Sequence, residues 1–233
     1  MKKYNIGYTV HNFESEINVN EFLSFFKAGI VPDFVIFHQK SYKRALVAFI
    51  NKLKGRAQNA ELQQALAKVK IYNIPDINSA EAKAVFDKYS PALVLCNSGL
   101  VKKKTIAHPT TIFLNKHASK LPLYRGVNNI EWALWYKTPV YLSVLRIQHG
   151  IDEGDILWQQ PNTVNISDFT SFAKYRAACQ NELFSSVGVA VKAYIDGTTN
   201  FAEQPDKGNK LMQYYSMHPL IFQKMLKDNN LSK

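Results

Sequence analysis

Phe113-Leu-Asn-Lys-His-Ala-Ser-Lys-Leu-Pro-Leu-Tyr-Arg-Gly126 begins as an extended segment and is broken by Pro122, Arg125 and Gly126. It reads as a strand that runs into a loop. Asn115 and His117 stand two apart, so in an extended chain both side chains leave the same face. An amide supplies a neutral N–H for an oxygen that gains charge, and an imidazole exchanges a proton near neutral pH. The pair is therefore equipped for acyl-group chemistry.

A second segment, Gln148-His-Gly-Ile-Asp-Glu-Gly-Asp-Ile156, follows the apolar alternation Tyr141 to Ile147. Its turn-forming composition is where a strand hands a carboxylate, Asp152, to a site. Spacing alone leaves the ordinary alternatives open: Asn115 as a turn cap, His117 as a satisfied half-buried histidine, Asp152 as a turn aspartate.

The order Asn115-x-His117-x-Ser119-x-Leu121-Pro122-x-Tyr124-Arg125-Gly126, then His149-x-x-Asp152-x-Gly154-x-Ile156, resembles the core signature of the folate-dependent formyltransferases. The match covers residue types, order, spacing and the intervening strand, and is specific over about residues 90 to 160. The resemblance implies that Asn115, His117 and Asp152 are the catalytic trio, and that 10-formyltetrahydrofolate is the formyl donor. It also implies that Gly99, Leu100 and Val101 line the pterin pocket largely through backbone, with Gln148, His149, Gly150 and Ile151 as the second folate wall. Read without the resemblance, Ser98-Gly99 is a chain reversal and His149 a solvated loop histidine. No metal-ligand cluster is visible, and none is required for this chemistry.

Outward from this region the chain alternates strand-like and helix-like segments. Lys3 to Thr9 reads as a first strand and Asn18 to Ala28 as a helix, with Phe22, Phe25 and Phe26 at helical spacing. Pro32 to His38 is a second strand, Tyr42 to Lys54 a basic amphipathic helix ending at Gly55, and Glu61 to Lys70 another helix. Then come a short strand Val69 to Ile74, a helix Ser79 to Tyr89 with Ser79 as N-cap, and a buried strand Ala92 to Cys96. Gly126 to Tyr136 reads as a helix and Val140 to Ile147 as a strand. Beyond Pro161, Ser167 is expected to cap a helix Phe169 to Asp196, before a strand Thr198 to Gln204 and a basic tail.

This alternation predicts an α/β fold with a doubly wound, mostly parallel sheet of the Rossmann type and a small C-terminal extension. We expect a formyltransferase core over residues 1–160 and an extension over 161–233. Ligands collect at the carboxyl ends of the strands in such folds, where Asn115 and the segment after Cys96 lie.

The chain of 233 residues is 46% hydrophobic, enough for a core of that size. Cys96 and Cys179 form no CxxC pair, so no disulfide framework is indicated and a reducing, cytoplasmic compartment fits. The start lacks a signal-peptide apolar core, and nothing approaches the ~18 unbroken apolar residues of a membrane span. The formal net charge is +11. Its densest places are Lys40 to Arg56 and Lys102-Lys103-Lys104, which read as solvated faces as readily as phosphate tracks. The excess favours an anionic substrate, and no nucleic-acid motif accompanies it.

Within the resembled family, Val10-His-Asn-Phe-Glu-Ser15 departs from the relatives that formylate glycinamide ribonucleotide, which carry a Gly-Ser-rich phosphate loop there. Relatives acting on methionyl-tRNA carry a further C-terminal barrel domain, and the short chain argues against that substrate. The wording Tyr214-Tyr-Ser-Met-His-Pro219 is similar to the end of the amino-sugar branch. The resemblance therefore implies a nucleotide-linked amino sugar as the acceptor, a 4-amino-4,6-dideoxyhexose for surface polysaccharide or O-antigen synthesis, and a possible homodimer.

Overall fold

The structure, a computed structural model, describes residues 4–11, 13, 15–38, 57–97 and 100–233. The expected basic helix Tyr42 to Lys54 and the expected pocket residue Gly99 lie outside the described residues.

Strands β1 (Ile6–Val10), β2 (Phe34–Phe37), β3 (Lys70–Asn73), β4 (Leu93–Asn97) and β5 (Ile112–His117) are followed by β7 (Tyr141–Arg146) and β8 (Ile156–Pro161) in one sheet of order β3-β2-β1-β4-β5-β7-β8. Pairing is parallel between β1 and β2, β1 and β4, β2 and β3, and β4 and β5, whereas β7 and β8 form an antiparallel pair. The mostly parallel α/β sheet is the architecture that the alternation predicts. Central strands of such sheets are covered on both faces, and every residue of β1 and β2 is buried.

The chain divides into two compact units, Met1–Asn115 with Ser185–Thr198, and Lys116–Phe184 with Thr199–Lys233. In the first unit, helix α1 (Glu16–Lys27) starts at Ser15, whose Oγ accepts the Ile17 N–H, with Glu16 in its first turn and Lys27 in its last, as the helix dipole favours. The Phe22 ring lies 5.5 Å from Tyr8 and 5.3 Å from Phe13, so the aromatic stripe is core. Helix α2 (Ala57–Leu66) precedes β3, and α3 (Ala80–Tyr89) is capped by Ser79 Oγ, as expected. A short helix α4 (Lys103–Ile106) leads to β5.

In the second unit, α5 (Asn129–Trp135), α7 (Pro219–Asp228) and the first part of α6 (Phe172–Ile195) share a core that includes Ile130, Leu142, Tyr175, Leu183 and Met225. Residues 185–195 of α6 belong to the first unit. There Gly188 lets α6 approach α1 closely: a Cβ would stand 2.1 Å from the Ser24 carbonyl oxygen.

Several expectations are corrected here. The expected helix from Gly126 begins at Asn129, because Gly126 belongs to a two-residue strand β6 (Arg125–Gly126) paired with β9 (Gln213–Tyr214). Ser167 caps no long helix; it sits in a single turn, Ile166–Asp168, whose cap is Asn165, and α6 starts later, where the Phe172 N–H donates to the Ser232 carbonyl. Thr198 to Gln204 is not a strand: only Ala202 exchanges backbone bonds, with Ile156, before Gln204 turns inward. The basic tail is a helix. Pro219 occupies its first turn and His218 caps it, a start signal that the expectation of a basic tail overlooked.

Candidate active site

His117 ends β5 and is 5% exposed. Its Nε2 lies 2.6 Å from the Tyr124 carbonyl oxygen, which also accepts the Ser119 hydroxyl at 2.7 Å. A carbonyl only accepts, so Nε2 carries a hydrogen in this arrangement. The Asp152 carboxylate lies 3.4 Å from Nδ1, and the Asn129 amide nitrogen lies beside both ring nitrogens, 3.2 Å from Nδ1 and 3.3 Å from Nε2. The Asn129 oxygen accepts the Ile130 N–H, which turns its NH2 towards the ring.

Asp152 is held by backbone. Its Oδ2 accepts the Gly126 N–H at 2.9 Å, and it adopts the left-handed conformation, φ 54°. Gly126 has φ 96°, and a Cβ there would meet the Tyr214 carbonyl oxygen at 2.2 Å, so the close β6–β9 pairing requires a glycine. Beside it, Arg125 is 1% exposed, and its guanidinium donates to Gln204 Oε1 and to the Pro205 and Asp206 carbonyls. Ser143 Oγ donates to the Ser119 carbonyl at 2.6 Å and accepts from Gln159, tying the β7–β8 hairpin to the same loop.

The structure therefore brings His117 and Asp152 together. Asn115 lies two residues before His117 on β5, half-buried. Leu100 is 83% exposed, with its carbonyl accepting from Asn78, while Val101 is buried. Gln148 shares two bonds with Asp155; His149, Gly150 and Ile151 form an exposed loop with Gly150 at φ 92°. Asn129 and Gln204 escaped the sequence reading. Asn129 looks like an ordinary helix-start residue, and Gln204 sits in a polar run without periodicity, so neither carries a local signal. Among the described residues no group of three His, Cys, Asp or Glu could hold a metal, and no helix is long and apolar enough to cross a membrane.

A sequence profile described as "Formyl transferase" matches residues 40–182, more than half of the chain. The chain belongs to the formyl transferase family. The profile spans His117 and Asp152. Among curated relatives of this formyl transferase family member, a methionyl-tRNA formyltransferase of Syntrophus aciditrophicus is 28% identical over 128 residues, 52% of this chain and 41% of that protein. The chain spans less than half the length of the curated relatives it matches. Among solved structures, a phosphoribosylglycinamide formyltransferase of Anaplasma phagocytophilum aligns with a TM-score of 0.60 at 14% identity, covering 93% of this chain and 100% of its own. A sugar N-formyltransferase of Shewanella sp. FDAARGOS_354 aligns at 0.57 and 13% identity, covering 97% and 87%. At these identities the likeness establishes the fold that the family member shares with them.

Proposed function

We propose that the protein transfers a formyl group from 10-formyltetrahydrofolate to the primary amine of a nucleotide-linked amino sugar, with Asn115, His117 and Asp152 as the catalytic residues. The observation that carries the reading is the approach of His117 Nδ1 to Asp152 Oδ2, 3.4 Å, by two residues inside the segment that the family profile matches. When bound, the folate supplies a formyl group at the oxidation level of an amide. Asn115 donates an N–H to the oxygen that gains charge. His117 would take the proton that the attacking amine loses and pass it to the departing folate nitrogen as the bond from that nitrogen to the formyl carbon breaks, and Asp152 would stabilise the imidazolium in between. The Tyr124 carbonyl holds the ring through Nε2, with Nδ1 towards Asp152.

The two expected folate loops fit a flat heteroaromatic ligand in their chemistry. Each holds an aliphatic side chain out to solvent, Leu100 at 83% and Ile151 at 53% exposure. Asn78 pins the first loop through the Leu100 carbonyl and the Lys102 N–H, at 3.0 and 2.7 Å. The net charge of +11 supports an acceptor that carries phosphates.

The curated relatives favour a second acceptor, methionyl-tRNA. A formyl-transfer assay with 10-formyltetrahydrofolate distinguishes the two, using nucleoside-diphosphate-linked 4-amino-4,6-dideoxyhexoses, glycinamide ribonucleotide and methionyl-tRNA side by side. We expect turnover of a nucleotide-linked amino sugar. Efficient turnover of the tRNA with none of any sugar would overturn the substrate assignment, and no formyl transfer to any amine would overturn the activity.

A further inference from the structure

Gln204 is 2% exposed, and both ends of its amide are committed. Its Nε2 donates to the Asp152 carbonyl at 2.8 Å and to the Gly154 carbonyl at 2.6 Å. Its Oε1 accepts from Arg125 Nε at 3.3 Å and Nη2 at 3.1 Å. The partners fix the orientation: a flipped amide would set its NH2 against a guanidinium and its oxygen against two carbonyls.

These bonds converge on one contact from both sides. Arg125 is covalently joined to Gly126, whose N–H holds the Asp152 carboxylate, and the Asp152 carbonyl is held by Gln204 directly. Asp152 has a left-handed φ of 54°. A non-glycine residue holds that conformation where its neighbours impose it. Released from Gln204, residue 152 would relax, and its carboxylate would swing away from the Gly126 N–H and from His117.

We propose that Gln204 is a positioning residue that holds the Asp152 carboxylate in register with His117, an inference that rests on reading those two residues as the proton-handling pair. Glutamate cannot replace it. Ionised beside Arg125, a glutamate keeps the acceptor side but turns an oxygen, not an N–H, towards the Asp152 and Gly154 carbonyls.

The Gly126 amide reports on Asp152 without any substrate. By NMR hydrogen exchange, Gln204→Glu and Gln204→Met should each speed Gly126 exchange roughly tenfold, matching Asp152→Ala, which removes the acceptor, while the β7 amides of Leu142 and Val144 keep their protection. Turnover should fall roughly tenfold in both variants with KM within about twofold, and Gln204→Glu in the Asp152→Asn background should add less than about twofold. Gln204→Glu carries the test alone where Gln204→Met does not fold. Wild-type Gly126 exchange or wild-type turnover in Gln204→Glu would overturn the proposal, as would a full additive loss in the Asp152→Asn background. Normal turnover in Asp152→Asn alone, with Gly126 exchange still responding to Gln204, would instead remove the catalytic reading of Asp152 and the proposal with it.

Discussion

The two compact units bury polar groups in different ways. In Met1–Asn115 with Ser185–Thr198, a buried cluster hangs from regular elements: Tyr8 on β1 donates to Glu21 on α1 at 2.7 Å, and Asn97 at the end of β4 donates to Glu21 at 2.6 Å. In Lys116–Phe184 with Thr199–Lys233, side chains bond mainly to loop backbone: His117 and Ser119 to Tyr124, Arg125 to Pro205 and Asp206, Gln204 to Asp152 and Gly154. Irregular backbone has no ladder to satisfy it, so side chains must do so. A substitution around the buried cluster of the first unit should therefore act on stability, and one in the loop network of the second on the geometry of the candidate site.

The largest expected effect tests the first half of that contrast. Phe22 is fully buried among the rings of Tyr8, Phe13 and Phe26, so Phe22→Ala should cost about 3–5 kcal/mol in a urea or guanidinium titration. A loss below about 1 kcal/mol would mean that the aromatic core closes over the cavity.

His117→Asn probes the second half. On the proposed function it should lower kcat by a factor on the order of 100 or more while leaving KM for the folate and the unfolding midpoint nearly unchanged, because a proton carrier acts in the transition state. Retained turnover would take His117 out of the catalytic set. A collapse of the midpoint would instead make its bond to the Tyr124 carbonyl the dominant role.

Tyr8→Phe sharpens the comparison at smaller cost. Burial, with the nearby Glu21 carboxylate, holds the Tyr8 hydroxyl well above the usual phenol range, so it stays protonated as a donor to Glu21. Its loss should cost about 1–2 kcal/mol, read as a shift in the denaturation midpoint with unchanged kcat. Altered turnover at constant stability would show that the cluster in the first unit also serves the reaction.

The smallest effect is a pH dependence. Burial lowers the pKa of His38, and the neighbouring His11 adds to this against the opposing backbone carbonyls and Asp76; among the described residues its Nε2 has no hydrogen-bond partner. Since the folded value lies below the 6.5 of an ordinary histidine, the unfolded chain binds a proton that the folded chain refuses as pH falls below that point. Its contribution is complete above this pH and is lost on acidification. Unfolding midpoints at about pH 7.5 and about pH 5.5 should therefore diverge in the wild type and less in His38→Gln. An equal divergence in both would assign the effect elsewhere.

Much of the first unit was legible in its residues because its signals are local. Ser79 before a helical run, aromatic residues at helical spacing and continuous apolar strands each carry their meaning within a few positions, and they led to α1, α3, β2 and β4 with end errors of one or two residues. The pairing of His117 with Asp152 was legible for another reason: residue types, order and spacing together resemble a family signature. Where expectation failed, a distant partner had intervened. Ala202 exchanges bonds with Ile156 alone, α6 begins where Ser232 accepts its first N–H, and the helix expected at Gly126 is displaced by pairing with Gln213 and Tyr214.

What the sequence by itself determined is the alternation of strands and helices, the family, and the residue types that could handle a proton and an oxygen. Periodicity and motif spacing are properties of neighbouring positions, so they survive without coordinates. Only the tertiary structure decided which nitrogen of His117 meets the Tyr124 carbonyl, that Gly126 holds the Asp152 carboxylate, and that Gln204, 52 positions further along, holds the Asp152 backbone. Those facts depend on hydrogen bonds only ångströms long between segments remote in the chain, and no local pattern of side chains encodes them.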